Sequence, residues 1–187
     1  MFIKTDKKLV HQALNGNAKA WVSLVKRYEK LVYHYGIRML PNADDALDLL
    51  QETFTSVFKS LPGWNPDNPF KPWLMTIAHR RCVEFYRRRK EQHSWTEEEH
   101  DQPANDSWSD PEQSYGQQQQ QEQLLRAMQQ LPIEQRTVIE AKFFRQLTTR
   151  EIAEQQGDSE NTIKSRLYSG MEKLKVYLEG DYEQQAS

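Results

Sequence analysis

The segment Leu147 to Arg166, LTTREIAEQQGDSENTIKSR, gathers hydrogen-bonding side chains suited to reading the edge of a DNA base pair. Lys and Arg can donate to the O6/N7 edge of guanine, and Asn can serve adenine in the same way. Asn161, Thr162, Lys164, Ser165 and Arg166 supply these groups within two helical turns. The start of such a helix adds backbone N–H donors that suit phosphate. This is recognition chemistry; no nucleophile is paired with a base in the segment.

Two short helices joined by a tight turn must present those residues. Thr148-Thr149-Arg150-Glu151 fits a capping box ahead of Ile152 and Ala153. Gly157 stands where the first helix must stop, because glycine accepts the left-handed backbone of many helix C-termini. Ser159 can cap the second helix, whose predicted buried stripe is Ile163, Leu167, Met171 and Leu174. A helix presented this way fits the major groove, with base-reading residues in its first turns.

The 187 residues allow one domain or two small ones. The seven glycines and many helix formers favour an all-α protein. A net charge of −2 conceals segregation: Met1 to Lys90 holds 16 Lys and Arg against 8 acids, and Glu91 to Gly116 holds 8 acids with no Lys or Arg. Such asymmetry points to a nucleic-acid surface beside an acidic segment. The one cysteine, Cys82, excludes a disulfide framework and a cysteine-rich zinc site. His79 shares its helix but no third ligand is near, so no metal and no cofactor are expected. The scattered Asp and Glu offer no acid–base pair, and no catalytic residue is assigned. No apolar run approaches the ~20 residues that span a bilayer. The first residues, MFIKTDKK, lack a signal-peptide core. The expectation is a cytoplasmic protein with no membrane partner.

Along the chain, apolar spacing predicts helices over about 6–14, from 18 to Pro41, 43–61 and 70–90. The third would bury Ala46, Leu50, Phe54, Val57, Phe58 and Leu61, and the fourth Phe70, Leu74, Ile77, Ala78 and Phe85. Between these two helices, Gly63 to Pro69 is a loop by composition. Residues 93–121 read as an acidic linker with too little apolar surface for a core, though its glutamine run could be helical. Trp95, Trp108 and Tyr115 are its exceptions, available to dock on a neighbouring surface. Further helices are predicted at Leu124 to Leu131 and Ile133 to Phe144, the latter burying Val138, Ile139 and Phe143. The paired helices follow to about Leu178, and 180–187 reads as a disordered tail.

These motifs resemble an extracytoplasmic-function (ECF) sigma factor of the sigma-70 family. The runs Leu131-Pro-Ile-Glu-Gln-Arg-Thr-Val-Ile-Glu, Leu147-Thr-Thr-Arg-Glu-Ile-Ala-Glu and Ser159-Glu-Asn-Thr-Ile-Lys-Ser-Arg-Leu look like region 4. Asp48-Leu-Leu-Gln-Glu-Thr-Phe resembles region 2.2. Phe70-Lys-Pro-Trp-Leu-Met-Thr-Ile-Ala-His-Arg-Arg with Arg87-Arg-Arg-Lys resembles regions 2.3 and 2.4.

The resemblance implies an all-α protein of two small helical domains. A sigma-2 domain would occupy 1–92, and a sigma-4 domain with a helix-turn-helix 122–179. It implies core RNA polymerase and promoter DNA as partners and allows an anti-sigma factor; a Ser/Thr kinase is expected only from a departure in region 2.2. Asn161, Thr162, Lys164, Ser165 and Arg166 would read the −35 element, with Thr148, Arg150 and Ser159 positioning phosphates. Trp64, Asn65, Asn68 and Phe70 would lie at an unstacked −10 base, and Arg80, Arg81, Arg87, Arg88 and Arg89 along the −10 backbone. Asp44, Asp45, Asp48, Gln51 and Glu52 would face polymerase.

The chain departs from the family at one point. Where region 2.2 usually carries Asp-Ala-Glu-Asp, this sequence has Asp45-Ala46-Leu47-Asp48. Losing one carboxylate on a face that matches basic residues would weaken polymerase binding. On a helical wheel Thr55 falls inside the acidic arc, with Thr53 and Ser56 outside it or at its edge. A phosphate there would restore about −1.5 to −2 charges. The acidic linker could also cover the basic surfaces without DNA, a screening that salt would weaken. A stand-alone helix-turn-helix regulator is the competing reading. An enzyme using His79, Cys82 or Glu84 is disfavoured, because no paired constellation or glycine-rich phosphate loop accompanies them.

Overall fold

The computed structural model describes residues 5–92 and 115–185, and the regular elements among them are all helical. They form two compact units, Met1–Gly36 with Ala43–His100, and Ile37–Asn42 with Asp101–Ser187.

In the first unit α1 (Asp6–Leu14) starts where the Thr5 side chain accepts the Lys8 N–H. Asp6 fastens it to α2 (Ala18–Met39) by taking the Tyr28 hydroxyl at 2.6 Å and the Arg27 guanidinium at 2.5 Å. Burial, and after it the bond to Asp6, pushes the Tyr28 phenol well above its ordinary pKa. A 3-10 turn, Leu61–Gly63, follows α3 (Ala43–Ser60), and a loop leads to α4 (Phe70–Gln92). Leu24, Val32, Tyr33, Tyr35, Ala46, Leu49, Val57, Leu74, Ala78 and Cys82 build the core. Cys82 is completely enclosed, and one turn before it His79 Nδ1 meets the Tyr35 hydroxyl at 3.2 Å.

The buried row of α3 differs from the one predicted. Leu49 and Thr53 join Ala46, Phe54 and Val57 inside, in steps of three and four that keep one stripe against α4. Leu50 is half-buried. Phe58, at the end of the helix, is 59% exposed and packs edge-on against Trp21 with ring centroids 5.1 Å apart. In α4, Met75, His79 and Cys82 join Phe70, Leu74 and Ala78 inside, and Ile77 and Phe85 are half-buried.

The second unit contains α5 (Tyr115–Gln129), α6 (Ile133–Ile139), α7 (Thr149–Gln156) and α8 (Glu160–Gln185). Met128, Leu131, Val138, Ile139, Ile152, Ala153, Ile163 and Leu167 form its core. Buried Arg136 donates to the carbonyls of Met39 at 2.7 Å and Leu131 at 2.9 Å, and Gln129 donates to that of Leu40 at 3.0 Å. These bonds satisfy helix-end carbonyls and tie Ile37–Asn42 into this unit.

Four expectations change here. Residues 115–121, placed in the linker with a glutamine run that could be helical, belong to α5. The helix predicted to reach Phe144 passes at Glu140 into a π-helical turn, closed by the Arg145 N–H on the Glu140 carbonyl at 3.2 Å. The wider turn leaves Phe143 53% exposed and buries Glu140, whose carboxylate takes Arg38 at 2.9 Å and Arg145 at 2.8 Å. Met171 is 42% exposed because the inward row of α8 runs through buried Ile163, Leu167 and Gly170 to partly buried Leu174. At Gly170 the helices touch: a Cβ would stand 2.9 Å from Ile139 Cδ1 and 3.1 Å from Gln135 Cβ. Finally, α8 continues through Gln185, where a disordered tail was expected.

Trp95, Trp108 and the acidic run 97–110 lie outside the described residues. Among the described residues, no helix is long and apolar enough to cross a membrane, and no group of three His, Cys, Asp or Glu could hold a metal ion.

Candidate nucleic-acid interface

The paired helices of the second unit are built by local hydrogen bonds that the sequence dictates. Thr148 Oγ1 accepts the Glu151 N–H at 3.2 Å, and Glu151 Oε2 takes the Thr148 N–H at 2.8 Å, completing the capping box. Those bonds, the backbone one foremost, hold the Glu151 carboxyl below its ordinary range. Gly157, at φ +73°, ends α7 and returns its N–H to Ala153 at 2.9 Å. A residue with a Cβ would meet steric cost in that left-handed conformation.

Ser159 Oγ accepts the Thr162 N–H at 3.1 Å and so caps α8. Glu160 joins the two helix starts by taking the Thr149 hydroxyl at 2.8 Å. It also holds Lys164 at 2.9 Å, and the lysine above all keeps its carboxyl below the ordinary range. Arg166 turns back to pair with Asp158.

The residues expected to read bases therefore divide in two. Asn161, Lys164 and Ser165 are exposed, and Tyr168, 66% exposed, continues their row at steps of three, one and three. Thr162 and Arg166 are half-buried and directed at Ser159 and Asp158. Tyr168 was not among the sequence candidates, although its place seven residues after Asn161 was a legible signal. Thr148 and Arg150 are exposed at the start of α7, where Arg150 pairs with Glu154 at 3.1 Å.

In the first unit the loop before α4 differs from expectation. Trp64 is only 6% exposed and Phe70 only 2%. Their rings meet edge-on with centroids 5.5 Å apart, and Trp73 packs on both. Neither ring offers a face to a base; the aromatic residues close the core beneath the loop. Asn65 and Asn68 are exposed, and Asn65 Oδ1 shapes the loop by accepting the Asp67 N–H at 2.9 Å.

The arginines of α4 are distributed among acids. Arg81 and Arg87 reach Glu84 at 2.7 and 3.8 Å, and Arg80 is exposed. Arg88 reaches Glu52 at 3.0 Å and Arg89 reaches Asp45 at 3.7 Å. Two cations expected on DNA thus face two carboxylates expected on polymerase. Along the rest of α3, Asp44, Leu47, Asp48, Gln51 and Thr55 are exposed. Thr53 is fully buried, and the Ser56 hydroxyl donates to the Glu52 carbonyl at 2.7 Å. Thr55 is the exposed hydroxyl of the three.

The sequence pattern of Sigma-70 region 2 matches residues 24–92, and that of Sigma-70, region 4 matches residues 121–174. The RNA polymerase sigma factor CarQ of Myxococcus xanthus is 31% identical over 173 residues, covering 88% of this chain and 92% of CarQ. The RNA polymerase sigma factor SigV of Bacillus subtilis (strain 168) is 26% identical over 160 residues, covering 84% of this chain and 90% of SigV. Among solved structures, the sigma factor RpoE of Bartonella quintana, in complex with the anti-sigma factor NepR, shares the fold with a TM-score of 0.65. That likeness has 18% identity and covers 87% of this chain and 98% of that one.

Proposed function

This chain belongs to the ECF group of the sigma-70 family, and from that premise we propose that it binds core RNA polymerase and directs it to promoters. Polymerase binds the exposed side of α3, the −10 element meets α4 and the loop before it, and the −35 element meets the first turns of α8. The observation that carries this reading is the order of the two matched regions, with a capped helix-turn-helix in the second. Region 2 also counts against the stand-alone regulator, which has no use for it.

The finer reading is that polymerase binding is weak until Thr55 is phosphorylated by a Ser/Thr kinase. Leu47 occupies the place of the usual glutamate and is 38% exposed, so an apolar side chain interrupts the acidic face. Asp45 and Glu52 are already paired with arginines. A phosphate on exposed Thr55 adds charge where the face is depleted. An anti-sigma factor is the other regulator this family membership suggests, as the RpoE complex illustrates for that protein.

Binding of the purified chain to core polymerase, followed by run-off transcription, tests both levels. Weak binding by the wild type, strengthened by Leu47→Glu or Thr55→Glu, is the expected result. Tight wild-type binding, matched by Thr55→Ala and Thr55→Glu, would sink the switch and leave an ordinary sigma factor. No binding by any variant would remove the polymerase partner.

A further inference from the structure

We propose that Arg88 and Arg89 oppose polymerase binding by occupying Glu52 and Asp45, so that polymerase and −10 DNA strip the same two ion pairs from opposite sides. The inference rests on the sigma-factor reading and on its assignment of α3 to polymerase and the end of α4 to DNA.

The geometry is specific. A single Arg88 nitrogen, Nη2, lies between the two oxygens of Glu52, at 3.1 and 3.0 Å, and so occupies the edge of the carboxylate another cation would need. Arg89 lies 3.7 Å from Asp45. The side chains of the first pair are 42% and 47% exposed, within reach of an incoming charge; those of the second are 21% and 29% exposed, with Asp45 Oδ2 itself covered, so a ligand reaches that pair through Arg89. Pairs this exposed are weak, about 0.2–1 kcal/mol each. They can therefore exchange without disturbing the packing of α3 on α4.

A cation from polymerase that takes Glu52 releases Arg88 toward a phosphate. A phosphate that takes Arg88 releases Glu52 toward polymerase. Two ligands that destroy the same contact favour one another, and the coupling must be equal in both directions. The chain alone then has two half-neutralised surfaces, and each becomes fully charged when the other is occupied.

The test is DNA-free binding of the full-length chain to core polymerase at low salt. Arg88→Gln/Arg89→Gln is expected to bind about three- to tenfold tighter than the wild type, as two weak pairs allow. That gain should vanish when the same changes are made in an Asp45→Asn/Glu52→Gln chain. Conversely, Asp45→Asn/Glu52→Gln alone should hold a single-stranded −10 oligonucleotide more tightly than the wild type without polymerase. Arg88→Gln by itself, at the more exposed pair, should move polymerase binding the same way by less. If the arginine variants bind core polymerase no better than a wild type that does bind, the inference fails and the sigma reading survives. If wild type and variants all fail to bind, the sigma reading itself fails and takes this inference with it.

Discussion

Arg166 reaches back to the carboxylate of Asp158, so the arginine in the first turns of α8 is anchored to the turn that precedes it. Its side chain is 29% exposed and does not stand with Asn161, Lys164 and Ser165 on the open row. Asp158→Asn should release it. The expected outcome is about two- to fivefold tighter binding of a −35 duplex at low salt, read by fluorescence anisotropy, with little change in melting temperature.

Tyr168 completes the open row. Tyr168→Ala is expected to reduce promoter-dependent run-off transcription with −35 sequence as the variable, while core-polymerase binding stays at the wild-type level. Tyr168→Phe separates ring from hydroxyl: retained activity assigns the role to packing, and loss assigns it to the hydroxyl.

Trp64 belongs to the core, and its removal should read as a stability defect. Trp64→Ala should destabilise the first unit by about 3–5 kcal/mol, as for other buried aromatic truncations. Circular dichroism melts check this. A Trp64→Ala chain that melts like the wild type but fails at the −10 element would instead make the ring a DNA contact.

Two backbone positions in the second unit should move stability in opposite directions. Gly170→Val places branched carbons against Ile139 and Gln135 and should cost about 1–3 kcal/mol. Gln146 holds φ +59°, which L-residues other than glycine adopt at a cost. Gln146→Gly relieves that cost and should leave stability unchanged or raise it by up to about 1 kcal/mol. Chemical denaturation of both variants decides the signs.

The helix-turn-helix should lose support in acid. The carboxyls of Glu151 and Glu160 are held below the ordinary value of 4.5 by bonds made only in the folded chain. The native state therefore takes up their protons less readily than the unfolded state. Their stabilisation is complete above that ordinary value and fades as pH falls through the lower native values. Glu151→Gln keeps a side chain able to complete the capping box, so it should flatten the acid limb of a melting-temperature profile. An unchanged limb would assign acid sensitivity to other groups.

The all-helical architecture was legible because its signals are local. Thr148, Glu151, Gly157 and Ser159 specify a cap, a stop and a second cap through contacts no more than four residues apart. The start of α1 follows similarly from Thr5, whose side chain accepts the Lys8 N–H. What the sequence did not reveal depends on which neighbour covers a helix. The choice between Leu49 and Leu50, or between Gly170 and Met171, is one residue, about 100° of rotation. It is settled by how closely α4 or α6 approaches. Trp64 looked like an open loop residue because nothing local shows that Phe70 and Trp73 will close over it. The pairing of Arg88 with Glu52 spans 36 positions and joins residues that resemblance had assigned to different partners.

The enclosure of Cys82 gives the intact chain a built-in clock. It is the only thiol in the sequence and sits at 0% exposure in the first unit. A thiol reagent can reach it only when that unit opens, while the second unit has no sulfhydryl to react. When reclosing outpaces labelling, the alkylation rate reports the opening equilibrium; when labelling is faster, it reports the opening rate. The effect of polymerase, of DNA or of a phosphate on the first unit can then be timed by one chemical reaction, without cutting the chain apart.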